Sequence, residues 1–407
     1  MMGGLLVALL LVQLTHCSDG FDSDATGCPK RFGGKCRCGM SNYRSWKPDR
    51  SVYVTNCTNS GFTNPDIMEY TPQQTEVLIF NGNRFQTLPW NVLGIWDDHE
   101  KLEVIDLTNN GIKEIQGKTF HKVSQVKRLI LNHNDLYIVS TMNHPRVFSN
   151  FINLEELHLT NAFTEQIDSK WYLTDLKEIW SMSELKKLKK LHLEQNEIWE
   201  IKDDDMFCEL KDLLDLHLGD NQLSDINFSL DCLERLRYLD LSYNKIRNIK
   251  GTTLAKLEKV FGKNNTRSGY DNQVDLHGNP FTCDCQMNPL YDWLRVTPAR
   301  LANKQEMRCF DGYPDVNAGK RIVNVEKLQC GPVRSVLGEA GGGSHHAITS
   351  TLLIILIILT ATLLSVVLWI NRITVKEKIQ PILKNFKTSL QYSTLEKQEE
   401  EPPEVQV

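Results

Sequence analysis

Three histidines occupy the same place in three copies of a short pattern: His158 in LEELHLTNA, His192 in LKKLHLEQN and His217 in LLDLHLGDN. Aspartates stand there in the next two copies, Asp240 in LRYLDLSYN and Asp275 in DNQVDLHGN. Imidazole is a metal ligand and also titrates near neutrality, so this set has the chemistry of a metal site or of a pH-sensitive contact. A polar face that binds a protein is the other use of the same residues, and it is the one we expect, with no metal and no cofactor. Tyr238, Tyr243 and Arg237 lie beside the set together with Glu194 and Asp220, and tyrosine and arginine are the usual anchors of protein interfaces.

The pattern that places them is L-x-x-L-x-L-x-x-N. Clear copies end at Asn110, Asn134, Asn196, Asn221 and Asn244, weaker ones at Asn83 and Asn279, and one carries Ala162 where the asparagine belongs, which makes eight repeats. Alternating apolar positions such as Leu236, Leu239 and Leu241 turn one side of a short strand into a core. The asparagine turns inward to bond neighbouring backbone. One repeat cannot bury its own leucines, so the copies must stack. The expected fold is therefore α/β: a leucine-rich repeat solenoid over residues 73–279, with short parallel β-strands on its concave face. The position four residues before the asparagine reads Ile79, Asp106, Ile130, His158, His192, His217, Asp240 and Asp275. Strands stacked in register hold such residues about 4.8 Å apart on one face.

Two spacings are long: 34 residues from Ala162 to Asn196 and 35 from Asn244 to Asn279, against 23 to 27 for most others. The first contains TEQIDSKWYLTDLKEIWSMSELKK, whose apolar spacing suits a short helix, and the second contains GKNNTRSGY. Both are expected to project as loops or inserts.

The two ends of the chain set the compartment. Residues 1–17 have a short apolar core from Leu5 to Leu14 and read as a secretory signal. Residues 348–370 contain no charge and are long enough to span a bilayer. Arg372, Lys376, Lys378, Lys384 and Lys387 follow the run, whereas the stalk 333–347 places no lysine or arginine in GEAGGGSHH, so the tail 371–407 should be cytoplasmic and the protein a single-pass type I protein of the plasma membrane. The sequons at Asn56, Asn227 and Asn264 suit an exterior domain. A net charge of -5 argues against a nucleic-acid partner.

An exterior location permits disulfides. Eleven cysteines are present, and a signal ending at Cys17 leaves ten. Cys28, Cys36, Cys38 and Cys57 fall in 18–72, and Cys283, Cys285, Cys309 and Cys330 in 280–332. Each tetrad contains a C-x-C, whose two cysteines cannot comfortably bond each other. Disulfides are the expected state of both, and a four-thiolate zinc site is the rival. Cys208 and Cys232 are 24 residues apart, almost one repeat, so they can meet across neighbouring coils as a disulfide or lie buried as free thiols.

No G-x-S-x-G, phosphate loop, kinase set or H-E-x-x-H is present, and no enzyme is expected. In the tail, Tyr392 to Leu395 (YSTL) is similar to a tyrosine-based endocytic signal, and Val405 with Val407 to a ligand for a PDZ scaffold.

NPFTCDCQMNPLYDWL, from Asn279 on, resembles the C-terminal cap of extracellular leucine-rich repeat proteins, and the first tetrad resembles their N-terminal cap. The resemblance implies Cys283 with Cys309 and Cys285 with Cys330, and Cys28 with Cys38 and Cys36 with Cys57. Leu290, Trp293 and Leu294 would cover the last leucines. This cap, the irregular repeat around LTNAF, and a span followed by WINR, a short tail and a terminal valine together resemble the trophoblast glycoprotein family of Wnt-inhibitory surface proteins. What the resemblance implies is a glycoprotein that binds an extracellular or membrane protein and restrains Wnt/β-catenin signalling. An adhesion or synapse-organising receptor with a PDZ-binding tail is the alternative. The gap from Cys38 to Cys57, with NYRSWKPDRSVYVTN, departs from the family, so no binding residue is carried over.

Overall fold

The computed structural model describes residues 27–95, 99–138, 146–183, 185–262, 272–326, 328 and 360. The chain divides into two units, Met1–Gly331 and Pro332–Val407. The expected signal, stalk and tail lie outside the described residues, as does the expected span apart from Thr360. Among the described residues no helix is long and apolar enough to cross a membrane.

In the first unit the repeats stack. An 11-stranded sheet runs through the described residues. Its members are short, as the strands Val104–Asp106, Glu156–His158, Lys190–His192, Asp215–His217 and Tyr238–Asp240 show. All neighbours pair in parallel except the first two strands, Arg37–Ser41 and Val52–Asn56, which form an antiparallel hairpin in the N-terminal cap. Leu157, Leu191, Leu216 and Leu239 occupy the middle of successive strands, directly opposite one another, and each is fully buried. Burying one such side chain contributes about 1.5–3 kcal/mol, and the coil repeats that contribution at each turn. Ile246, Ile249, Leu223 and Ile226 close the far side of the coils.

The asparagines form the ladder that the pattern requires. Asn244 Nδ2 donates to the carbonyls of Leu218 at 2.9 Å and Leu241 at 3.2 Å, while its Oδ1 accepts from Leu223 N at 2.9 Å. Asn221 does the same for Leu193 and Asn196. Ala162 supplies no side-chain amide, and Leu136 N of the preceding coil donates instead to the Ala162 backbone carbonyl at 2.8 Å, while Asn196 of the next coil accepts from Ala162 N at 2.9 Å and donates to Leu159 O at 2.7 Å as the other ladder asparagines do.

Both long spacings contain helices that join the core rather than projecting from it, while GKNNTRSGY beyond Gly262 lies outside the described residues. Helix α1, Ser169–Met182, is capped by Asp168, whose carboxylate accepts from Lys170 N, and buries Tyr172, Leu173, Leu176, Ile179 and Trp180. Helix α2, Gly251–Phe261, buries Leu254, Leu257 and Phe261. Each has apolar residues three and four apart, enough for one face of a helix, so an insert of this composition lowers its free energy by packing down.

Disulfides and aromatics close the solenoid. Cys28 is bonded to Cys38 and Cys36 to Cys57, above a run of tilted rings from Phe32 through Phe62 and Phe80 to Phe85. At the other end Cys283 is bonded to Cys309. Cys285 is disulfide-bonded as well, and Cys330 lies outside the described residues. Helix α3, Asn288–Val296, lays Leu290, Trp293 and Leu294 against the last coil. Cys208 is bonded to Cys232 and so ties two neighbouring coils together.

Candidate functional site: the open face of the sheet

Strand residues on either side of the buried leucine point away from the core, so each repeat contributes two or three side chains to the sheet's outer face. The register is continuous along the column: Ile79 faces Asp106, then Ile130, His158, His192, His217, Asp240 and Asp275 in turn. The residues equivalent in the repeat are therefore neighbours in space.

The first part of this face is closed. Val52, Val54, Val77, Ile79 and Val104 form a second apolar cluster, separate from the main core, with Tyr43 and Trp46 packed on it. Both aromatics come from the loop between the two strands of the N-terminal hairpin. Trp46 Nε1 donates to Glu103 Oε2 at 2.9 Å, Lys47 pairs with the same carboxylate, and Lys127 Nζ reaches its other oxygen at 2.9 Å. Burial alone would raise the Glu103 pKa, but these donors outweigh it and hold the carboxyl down at about 2. The apolar residues at the start of the column thus have a partner within the chain, and the polar ones from His158 onward do not have this lid.

There the side chains form an ordered array. The rings of His158 and His192 stack with centroids 4.1 Å apart and planes 9° from parallel, and those of His192 and His217 with 4.0 Å and 13°. The His217 ring is followed by Tyr238 at 5.1 Å. Two glutamates serve the stack: Glu156 Oε2 lies 3.4 Å from His158 Nε2, and Glu194 Oε1 lies 2.9 Å from His192 Nδ1 and 3.6 Å from His217 Nδ1. Burial pushes the His217 pKa down to about 4, with His192 adding to the effect. It also lowers that of His158, against the pull of Glu156. Both rings are therefore neutral at physiological pH. For Glu156, burial is outweighed by His158, Arg128 and Lys190, and its carboxyl sits at about 2.

Beyond the histidines the face turns acidic. Asp240 is raised above the usual carboxylate range, first by burial, against the hydrogen bonds of Ser242. Asp275 Oδ1 is 2.7 Å from His277 Nδ1, and its other oxygen accepts from Asn303 Nδ2 at 2.7 Å. Arg237 is committed to Asp215 through two bonds, at 2.7 and 2.9 Å. Tyr243, 56% exposed, stands edge-on to His277 at a centroid distance of 4.6 Å. Gly278 makes room for it: with φ at +72°, a Cβ there would lie 2.5 Å from the Tyr243 ring. Asp220 accepts from Gln195 Nε2 at 2.8 Å.

The structure thus brings together His158, His192, His217, Tyr238, Asp240 and Asp275 on one strip, with Tyr243 at its rim. His192, Glu194 and His217 are the group, among the described residues, with donor atoms close enough to hold a metal ion, all within 4.8 Å of one another. The two residues that sequence reasoning missed are Trp46 and Glu103. Their signal was an unusually long, tryptophan-bearing hairpin loop set against an apolar start to the column. Of the sequons, Asn227 is exposed, the Asn56 side-chain Oδ1 accepts from Thr58 N at 2.9 Å, and Asn264 lies outside the described residues.

A leucine-rich repeat family model matches residues 100–162 and 186–246. Trophoblast glycoprotein of Macaca fascicularis is 22% identical over 292 residues, an alignment that covers 69% of this chain and 65% of that protein. The chain thus spans just under two thirds of the curated relative's length. The crystal structure of human trophoblast glycoprotein, also called Wnt-activated inhibitory factor 1, matches with a TM-score of 0.59 at 23% identity, over 74% of this chain and 99% of that one. The chain thus carries leucine-rich repeats in a solenoid with disulfides at both ends, and over most of its length it is similar to trophoblast glycoprotein in sequence and in fold.

Proposed function

We propose that the protein is a single-pass cell-surface glycoprotein that binds a protein partner on the strip from His158 to Asp275 and thereby modulates signalling, restraining the Wnt/β-catenin route. In this reading residues 1–17 are removed, 348–370 span the plasma membrane, and 371–407 face the cytoplasm, where Val407 and the YSTL segment are available to a scaffold or a sorting adaptor.

One observation supports the choice of surface above the others. The apolar start of the column is covered by the chain's own Tyr43 and Trp46, whereas the ordered, polar remainder is left open. Aligned aromatic and charged groups on a rigid sheet lose little side-chain entropy on binding, which is what a recognition face requires. The relative's printed name, Wnt-activated inhibitory factor 1, supports the direction of the signalling effect.

A Wnt reporter in cells expressing the full chain tests the reading. Expression should lower the reporter, and Tyr243→Glu with Tyr238→Glu should restore it at equal surface abundance. If cells instead cluster while the reporter stays unchanged, the adhesion reading replaces this one.

A further inference from the structure

The carboxylate of Glu194 lies between two imidazoles that the strand register holds face to face. Its Oε1 is 2.9 Å from His192 Nδ1 and 3.6 Å from His217 Nδ1. Ligand atoms around a tetrahedral zinc, each about 2.0–2.2 Å from the ion, are roughly 3.3 Å apart. The two observed separations bracket that value; because the rings stack with their planes nearly parallel, ion entry requires the His217 ring to turn about its side-chain torsions until its nitrogen lone pair meets that of His192, with the strand backbone unchanged.

We propose that His192, Glu194 and His217 form a binding site for a divalent cation of the zinc type, in the middle of the open face. The donor set selects the class of ion. Two imidazole nitrogens and one carboxylate oxygen suit zinc, whereas calcium and magnesium need shells made of oxygen.

The site is built rather than incidental. His192 and His217 are paired residues of adjacent parallel strands, and their rings stack at 4.0 Å. Glu194 lies in the turn just past the strand, two residues beyond His192, and its carboxylate reaches back to the His192 ring. Its second oxygen accepts from the Thr160 hydroxyl at 2.8 Å, an outer contact that fixes the carboxylate's rotation, as partners of metal-ligating groups commonly do. His158 stacks on the far side of His192, so the His192 ring is fixed from both faces.

Three protein ligands leave a tetrahedral zinc one open position, filled by water or by a group from another molecule. Bound zinc would add positive charge to a strip that continues into Asp240 and Asp275. Cation binding does not require that the face have a protein partner, so this proposal and the proposed function fail separately.

The test uses the full chain in detergent micelles, titrated with zinc chloride in a calorimeter and with cobalt(II) chloride in a spectrophotometer. One ion should bind, cobalt should show the intense visible absorption of tetrahedral nitrogen and oxygen coordination, and H217Q and E194Q should each weaken binding more than about tenfold. H277Q, on a histidine outside the triad, should leave affinity unchanged. Thermal melting without added metal, similar for all variants, would show that lost affinity is not lost fold. Absence of binding, unchanged affinity in H217Q and E194Q, or an octahedral cobalt spectrum would overturn the proposal.

Discussion

The guanidinium of Arg128 lies over the indole of Trp46, 4.7 Å from the ring centroid, and its Nη1 donates to the carbonyl of Ser45 at 2.9 Å. Arg128 begins the strand of one repeat and Trp46 belongs to the N-terminal cap, so this pair fastens the cap loop across the face of the first repeats. It divides the sheet into a covered end and an open end.

Trp46→Ala should uncover Val54, Ile79 and Val104. Because Trp46 is only half-buried, the loss should be about 2 kcal/mol, below the usual range for truncating a fully buried aromatic. Denaturant unfolding would measure it. Binding of a hydrophobic dye should rise in the native state, which a change confined to the main core would not cause.

The clamp is also acid-sensitive. Glu103 titrates near 4.5 when unfolded and at about 2 when folded. A carboxyl depressed in this way contributes stability in full above 4.5, and the contribution is lost as pH falls from there toward 2. Trp46 fluorescence should therefore shift over that acid window before global unfolding, and Glu103→Gln should remove the shift.

Asn244→Ala would leave the amide of Leu223 buried without its partner, while the Leu218 and Leu241 carbonyls keep the side-chain amides of Asn221 and Asn279. An unsatisfied buried group costs about 1–3 kcal/mol, so a loss of about 2 kcal/mol is expected from urea unfolding. The native irregularity at Ala162 does not incur this cost, because the equivalent amide, Leu136 N, donates to the Ala162 backbone carbonyl at 2.8 Å.

Opening the bridge between Cys208 and Cys232 with paired serines should destabilise the chain by about 3.5 kcal/mol on the chain-entropy account of a loop with sequence separation 24. Differential scanning calorimetry would detect this as a lowered midpoint. The bridge ties only neighbouring coils, so far-ultraviolet circular dichroism of the folded variant should match that of the parent.

Much of this architecture was legible in the sequence because a repeat converts equivalence in the chain into adjacency in space. His158, His192 and His217 could be placed on one line before any coordinates, since nothing but register separates them. The inserts were harder. The residues of α1 have helical spacing, but spacing does not say whether a helix packs down or projects, and burial of Tyr172 and Trp180 depends on the coil beneath. The lid over Ile79 left only an indirect signal, the long tryptophan-bearing loop, because the contact of Trp46 with Arg128 joins distant parts of the chain with no periodicity to connect them. Glu194 lay between these cases: its place in the repeat puts it near His192, while the turn after the strand and its side-chain torsions decide its approach to both imidazoles.

The open strip as the working surface is the claim on which the account rests. Site-specific photo-cross-linking on intact cells tests it most directly, with the probe placed in the full chain at Tyr243 or His158 on the face, or at Lys256 on the exposed side of α2. The account predicts one discrete adduct from the first two positions, none from Lys256, and disappearance of that adduct when Tyr238 is changed to Glu. An adduct from Lys256 with none from Tyr243 and His158 would contradict it.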